Sequence, residues 1–96
     1  MSRFDFSSSP PAFVPELPRD YRGDEGEVVK EVGVIEETSD GKRYWKAFQL
    51  INRDGGDDLV RTGYYTETGG WQNKPLTLPP GVMEDLTGFA EGKIWE

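Results

Sequence analysis

Apolar and polar residues alternate along three consecutive segments of the chain, which is the pattern of half-buried β-strands. These segments are residues 27–38, 43–53 and 59–67. Asp-Gly and Gly-Gly pairs separate them, and such dipeptides favour the tight turns of β-hairpins. A fourth strand is predicted over residues 71–78, where Pro75 indicates a position at the edge of the sheet. The pattern therefore predicts a four-stranded antiparallel sheet.

Two details of the pattern concern how this sheet packs. Gly33 lies inside the first strand and predicts a β-bulge or a sharp bend, because glycine in a strand interior often marks one. The second strand is apolar on both sides, with Phe48 and Leu50 on one face and Trp45 and Ile51 on the other. Neither face is plainly the core face. We therefore expect the core to cover one face and a ligand or second subunit to cover the other.

After residues 79–81 (Pro-Pro-Gly), the apolar spacing changes to that of an amphipathic helix. The helical stripe consists of Val82, Met83, Leu86, Phe89 and Ala90. Gly92 follows it at a position typical of a helix C-terminus. The predicted fold class is α+β, a curved four-stranded antiparallel sheet followed by one C-terminal helix in the order ββββα.

The first 25 residues differ in composition from the rest of the chain. They contain four prolines, which remove backbone donors and oppose both helix and central strand. We predict a flexible proline-rich tail over residues 1–25 and a single β-rich domain over residues 26–96. Apolar residues in the tail indicate that it lies across the domain or binds a protein partner. They are Phe4, Phe6, Phe13, Val14 and Leu17.

The net charge of −7 is unusual for a nucleic-acid-binding protein, but it is unevenly distributed. Residues 42–76 carry six basic and four acidic side chains, whereas residues 1–41 carry four basic and ten acidic ones. The net-positive segment is also the segment richest in aromatic rings. Rings interleaved with cations on a sheet suit single-stranded nucleic acid, because bases stack on rings while cations track the phosphates. The same rings also suit an ordinary small core, and the pattern alone leaves both interpretations open.

Other classes of function receive less support from the residues. The chain has no histidine and no cysteine, so the usual general base, thiol nucleophile and soft metal ligands are missing. We predict a non-catalytic protein without a metal or cofactor. No apolar run has membrane length and no signal-peptide core is present, so we expect a soluble cytoplasmic protein with no membrane partner. A core this small also favours a homodimer.

The strand-to-helix region resembles the positive cofactor four family of single-stranded DNA-binding transcriptional coactivators. The resemblance is carried by residues 74–78 (KPLTL) followed by residues 79–86 (PPGVMEDL), with Tyr64-Tyr65 and Trp45-Lys46 on the preceding strands. It implies a homodimer whose helices share an interface formed by Val82, Met83, Leu86 and Phe89. It also implies that the family's sheet cations correspond to Lys42, Arg43, Lys46, Arg61 and Lys74, and its stacking rings to Trp45, Tyr65 and Trp71.

Together these patterns predict a single-stranded nucleic-acid-binding protein with a role like that of a transcription coactivator or a replication and repair accessory factor. The predicted binding residues are Lys42, Arg43, Trp45, Lys46, Arg53, Arg61, Tyr65, Trp71 and Lys74. The alternative is an acidic protein-interaction module, either a DNA mimic or an adaptor, that binds no nucleic acid. The acidic first strand, with Glu31, Glu36 and Glu37, supports this alternative.

Overall fold

The structure is a computed structural model that describes residues 3–21, 25–72 and 74–95. Six strands of these residues form one sheet in the order β1-β3-β4-β5-β6, with β2 also paired to β3, and every strand pair is antiparallel. One helix follows the sheet. The elements are β1 (Arg3–Ser7), β2 (Arg19–Tyr21), β3 (Gly26–Glu37), β4 (Arg43–Arg53), β5 (Leu59–Thr66), β6 (Gly70–Gln72) and α1 (Pro80–Ala90).

The antiparallel sheet and the C-terminal helix are confirmed, and the three central strands match their predicted segments closely. The turn between β3 and β4 forms where the Asp-Gly pair predicts it. Gly41 has a φ of 87° there, and its N–H donates to the Thr38 carbonyl at 3.0 Å. A residue with a side chain rarely adopts that φ, so glycine is needed at this position.

The predicted count of four strands is wrong, because β1 and β2 both belong to the N-terminal stretch. β1 pairs with the second half of β3, and β2 pairs with the first residues of β3. All four prolines of this stretch lie between β1 and β2, so both strands keep their backbone donors. Residues 3–7 and 19–21 of the predicted tail are therefore strands of the sheet. Residues 1, 2 and 22–24 of that tail lie outside the described residues.

The predicted fourth strand is shorter than expected. β6 covers Gly70–Gln72 only, and residues 74–79 lie outside any strand. Pro75 cannot donate to a ladder, and the Lys46 side chain instead binds the Thr77 carbonyl. Residues 74–79 therefore cross one face of the sheet before α1 begins.

Each face of the sheet has its own cover. The N-terminal face, which carries Trp45, Ala47, Gln49 and Ile51 of β4, lies under the N-terminal segment, residues 8–21. The helix face, which carries Tyr44, Lys46, Phe48 and Leu50 of β4, lies under α1 and the residues around it. Cluster one joins Val14 to Trp45, Ala47 and Tyr65, with Phe13, Ile35 and Trp71 around them. Cluster two joins Val32 to Ala90 and Ile94, with Phe48, Leu50, Phe89 and Trp95 around them.

Gly33 does not form the predicted bulge. The register shift in β3 lies between Val28 and Lys30, whereas Gly33 pairs regularly with Ala47. A Cβ atom at Gly33 would lie 2.5 Å from the Lys46 carbonyl oxygen and 3.0 Å from the Trp45 ring. Glycine therefore stands here because the ring of a neighbouring strand lies over its Cα atom, which local sequence does not reveal.

The helix follows its predicted stripe. Leu86 and Ala90 are fully buried, and the chain after α1 folds back so that Ile94 is also buried and the Trp95 ring stacks on Phe48 at 5.6 Å. Gly92 has a φ of 81°, as expected for the residue that ends a helix. In the part of the chain that the structure describes, no helix is long and apolar enough to cross a membrane.

Candidate nucleic-acid interface

The three rings predicted to stack on bases all lie on the N-terminal face. Trp45 is completely buried and Tyr65 is 9% exposed, while Trp71 is half-buried with its ring 5.3 Å from that of Tyr65. Phe13 and Val14 of the N-terminal segment pack against this cluster. A base could reach Trp45 only if that segment left the sheet. In this conformation the ring is a core residue.

A buried polar network holds the N-terminal segment on this face. The Arg19 guanidinium forms an ion pair with Glu31, and its Nη1 also donates to the Tyr65 hydroxyl at 2.9 Å. The other Glu31 oxygen accepts from Gln49 Nε2 at 2.5 Å. The Arg19 side chain is 9% exposed and that of Glu31 is 0% exposed. Because each partner comes from a different strand, the network joins β2, β3, β4 and β5.

Arg61 extends the same network instead of facing solvent. Its Nε donates to Gln49 Oε1 at 2.8 Å, and its guanidinium carbon lies 5.3 Å from the Tyr21 ring centroid and 4.3 Å from that of Trp71. Partial burial lowers the pKa of Arg61 from its ordinary value. Cation–π contacts on two rings and an internal hydrogen bond make Arg61 a structural cation here.

The exposed combination of rings and cations lies on the helix face. Tyr44 of β4 and Tyr64 of β5 are half-buried, and their rings meet edge to face at a centroid distance of 5.9 Å and an angle of 83°. They line an open cleft of ≈ 520 Å³, which we call the tyrosine cleft. Its lining residues are Glu36, Tyr44, Lys46, Tyr64, Lys74, Pro75 and Thr77.

The two lysines of the tyrosine cleft have different surroundings. Lys46 Nζ lies 2.6 Å from Glu36 Oε1 and donates to the Thr77 carbonyl at 2.8 Å, and its side chain is only 13% exposed. Lys74 is exposed at the mouth of the cleft. Lys46 therefore carries a charge that is already paired within the protein, whereas Lys74 is placed to meet a ligand from solvent.

A second, smaller depression of ≈ 330 Å³ continues from the tyrosine cleft around Tyr44 to the end of the sheet, where Lys42 and Arg43 line it. Lys42 is exposed, with its Nζ 3.9 Å from Asp40. Arg43 forms an ion pair with Glu67, and this hydrogen bond raises the pKa of the guanidinium above its ordinary value.

Arg53 lies apart from the other predicted cations. It stands at the opposite end of β4 from Arg43, which for ten residues of strand corresponds to about 33 Å. Its Nε donates to the Asp57 carbonyl at 2.8 Å within the turn that follows β4. The structure thus places Lys46 and Lys74 in one cleft and Lys42 in the neighbouring depression, and it leaves Arg53 at a distant turn.

The residues expected to form a helix-mediated dimer interface are partly used within the chain. Leu86 is 0% exposed, and the Phe89 ring packs edge to face against Phe6 at 6.4 Å. Val82 and Met83 are half-buried. Of these four residues, Leu86 is therefore closed to a second copy, whereas Val82, Met83 and Phe89 stay partly exposed.

Sequence reasoning missed both the tyrosine pair and the buried network. Tyr44 and Tyr64 alternate with Trp45 and Tyr65 along their strands, and the pairing of Lys46 with Tyr64 places them together. The same alternation places Glu31 among core-facing positions of β3, which was a signal for a buried ion pair. The sequence did not reveal Arg19 as its partner, because the two residues lie twelve positions apart and meet only after β2 has paired with β3.

Within residues 3–21, 25–72 and 74–95, no cluster of three or more carboxylate, histidine or cysteine side chains is arranged to hold a metal ion. Comparison of the chain with family models, with curated proteins and with solved structures found no significant match. The resemblance to the positive cofactor four family therefore stays a prediction made on short motifs.

Proposed function

We propose that this protein is a non-catalytic binder of single-stranded nucleic acid and that the tyrosine cleft is its binding site. The observation that carries the proposal is the pair of half-exposed rings, Tyr44 and Tyr64, in an open cleft with Lys74 at its mouth. Stacking on tyrosine is available only to bases that are not already stacked in a duplex. The cleft therefore favours unpaired strands over double helices.

The charges around the cleft support a weak, salt-sensitive interaction. Lys74 and Lys42 are exposed beside the rings, and each lies in the net-positive part of the chain. Lys46 would strengthen a phosphate contact only by sharing its charge between the phosphate and Glu36. The rest of the protein carries excess negative charge, which repels the phosphate backbone at long range and is screened over about 10 Å in 0.1 M salt.

The biological setting of this activity is part of the proposal. A role like that of a transcription coactivator, or an accessory role in replication and repair, follows from the resemblance of residues 74–86. The tyrosine cleft is compatible with either role, because both require a short unpaired strand to be held without chemistry. Three of the residues that carry part of that resemblance line the cleft, namely Lys74, Pro75 and Thr77.

A direct test is fluorescence anisotropy with a short labelled oligothymidylate at low salt. We expect saturable binding by the wild-type protein, and about tenfold weaker binding by Tyr44→Ala, since one stacked base contributes about 1–3 kcal/mol. Lys74→Ala should weaken binding and reduce the slope of log affinity against log salt concentration by about one contact. Lys30→Ala is the matched control, because Lys30 is exposed on β3 away from the cleft and its loss changes the net charge equally.

Two outcomes would count against the proposal. One is an absence of saturable binding by the wild-type protein at low salt, which would favour the acidic protein-interaction module. The other is binding that Tyr44→Ala and Lys74→Ala leave unchanged, which would place the interaction on another surface. A duplex of the same length serves as competitor, and we expect it to compete less well than the single strand.

A further inference from the structure

The tyrosine cleft contains an acidic side chain, which is unexpected in a site for a polyanion. Among the described residues that line the cleft, Glu36 is the one carboxylate. It lies directly opposite Tyr44 in the pairing of β3 with β4, and its side chain is 14% exposed. A carboxylate repels phosphates, so any favourable contact that Glu36 makes with a bound strand must be with the bases.

The two carboxylate oxygens of Glu36 have different surroundings. Oε1 lies 2.6 Å from Lys46 Nζ, and this ammonium group also donates to the Thr77 carbonyl at 2.8 Å. Oε2 accepts no hydrogen bond from any of the residues that the structure describes. The charge of Lys46 offsets that of Glu36, so this part of the cleft is close to neutral. One carboxylate oxygen therefore stays free to accept a hydrogen bond from a ligand.

The charges of the cleft indicate how a nucleotide would lie in it. Lys74 is exposed at the mouth, whereas the side chains of Glu36 and Lys46 are largely buried. A phosphate is therefore best placed beside Lys74, with its base on the Tyr44 ring. A stacked base presents its edge sideways, and residues directly opposite each other on paired strands have Cβ atoms about 4.5–5.5 Å apart. The edge of that base comes within reach of Glu36.

The free oxygen of Glu36 distinguishes bases by the groups on their edges, because a carboxylate only accepts hydrogen bonds. Cytosine presents an exocyclic amine that donates, whereas thymine and uracil present the carbonyl oxygen O4 at the same place. The tyrosine and threonine hydroxyls of the cleft can both donate and accept, so they do not make this distinction. Glu36 is therefore the group in the cleft that can select between the two pyrimidine edges.

We propose, on the basis of the function proposed above, that Glu36 is a specificity-determining residue of the tyrosine cleft. It makes the cleft prefer bases with an exocyclic amine, and among the pyrimidines it selects cytosine over thymine and uracil. Glu36 Oε2 accepts a hydrogen bond from the amine. At a thymine or uracil the same oxygen faces O4, and two acceptors that face each other gain no hydrogen bond.

The test compares oligodeoxycytidylate with oligodeoxyuridylate of the same length, by fluorescence anisotropy at low salt. The two strands have the same backbone and the same ring size, and they differ only in the groups at N3 and C4 of the base. We expect the wild-type protein to bind the cytidylate about tenfold more tightly, because a hydrogen bond to a charged acceptor contributes at least that factor.

Glu36→Gln keeps the size of the side chain but supplies an amide that can donate to O4. We expect the preference for the cytidylate to fall to about twofold or less, mainly because the uridylate binds more tightly. Glu84→Gln is the matched control, since it removes the same charge from an exposed position of α1 outside the cleft. It should tighten the binding of both strands equally and leave the preference unchanged.

A modified base provides a second measurement that needs no variant to fold. In N4,N4-dimethylcytosine the exocyclic amine carries no hydrogen and cannot donate. The wild-type protein should therefore bind a strand of this base about as weakly as it binds the uridylate.

Three outcomes would overturn the role of Glu36 and leave the proposed function in place. They are equal binding of the cytidylate and the uridylate by the wild-type protein, a preference for cytosine that Glu36→Gln retains in full, and tight binding of the dimethylated strand. An absence of saturable binding by every strand is a different result. It would overturn the proposed function, and the role of Glu36 with it.

Discussion

The two faces of the sheet are built from alternate residues of the same strands, yet they differ sharply in what covers them. On the N-terminal face, Trp45, Tyr65 and Gln49 are buried beneath residues that precede the central strands in sequence. On the helix face, Tyr44 and Tyr64 stay half-exposed, because α1 packs near β3 and β1 and leaves the β5 side open. Rings and cations on a sheet therefore indicate a binding surface only where no other part of the chain covers them.

The basic side chains on the two faces also have different roles. Arg19 and Arg61 on the N-terminal face are held by Glu31, Gln49 and aromatic rings, so their charges stabilise the arrangement of the strands. Lys74 on the helix face is exposed and remains available to a ligand. A buried pair is costly to break because the charge left behind has no water to solvate it. An exposed lysine can be removed with little effect on folding.

The largest expected effect on stability comes from replacing each of two neighbouring rings of β4 by alanine in separate variants. Trp45→Ala should lower the free energy of unfolding by about 3–5 kcal/mol, because it leaves a large cavity beneath the N-terminal segment. Tyr44→Ala should lower it by about 1 kcal/mol, since that ring is half-exposed. Urea denaturation followed by far-UV circular dichroism measures both. Equal losses would mean that the two faces are covered to the same extent.

A slightly smaller loss is expected from Glu31→Gln, which removes the charge that Arg19 pairs with inside the protein. We expect the free energy of unfolding to fall by about 3 kcal/mol. Glu27→Gln removes the same charge from an exposed position of β3 and should change it by less than about 0.5 kcal/mol. If the two variants are equally stable, the N-terminal segment is not held on the sheet by this ion pair.

Gly33→Ala tests whether the Trp45 ring covers β3 as closely as the structure indicates. The new Cβ would lie 2.5 Å from a backbone oxygen, so the strands must shift, and we expect a loss of about 1–3 kcal/mol. Gly88→Ala is the contrasting control, because a Cβ there meets open space within α1. That variant should gain about 0.5–1 kcal/mol. Thermal denaturation should show a lower melting temperature for Gly33→Ala than for the wild type, and a higher one for Gly88→Ala.

The smallest effect concerns the turn between β3 and β4, which belongs to neither face. The Thr38 hydroxyl donates to Asp40 and lowers the pKa of that carboxyl. A lowered folded-state pKa contributes stability above the unfolded-state pKa, and this contribution is lost as pH falls through the folded value. Thr38→Val should therefore be less stable than the wild type at neutral pH, and the difference should shrink in acid.

Stability curves of the two proteins at neutral and acidic pH check this expectation, together with an NMR titration of the Asp40 carboxyl. In Thr38→Val that carboxyl should titrate at a higher pH than in the wild type. A stability difference that stays constant into acid would show that the hydroxyl acts through the backbone of the turn and not through the carboxylate.

The sequence by itself determined the elements whose cause is local. Alternation of apolar residues predicted β3, β4 and β5, a change to helical spacing predicted α1, and the Asp-Gly pair predicted the turn at Gly41. The period of two also separated Tyr44 and Lys46 from Trp45 and Gln49 correctly. These features depend on residues within a few positions of one another. The order of residues along the chain is therefore enough to predict them.

Only the tertiary structure decided which part of each face is buried and which part stays open. Both faces of β4 are apolar enough to be a core, and the choice depends on where a distant proline-rich segment returns to the sheet. The same reason explains why Gly33 is a contact for Trp45 and why Glu31 needs Arg19. Each of these contacts joins residues far apart in the chain. The contacts stabilise the protein only after the strands have paired, so a local pattern does not predict them.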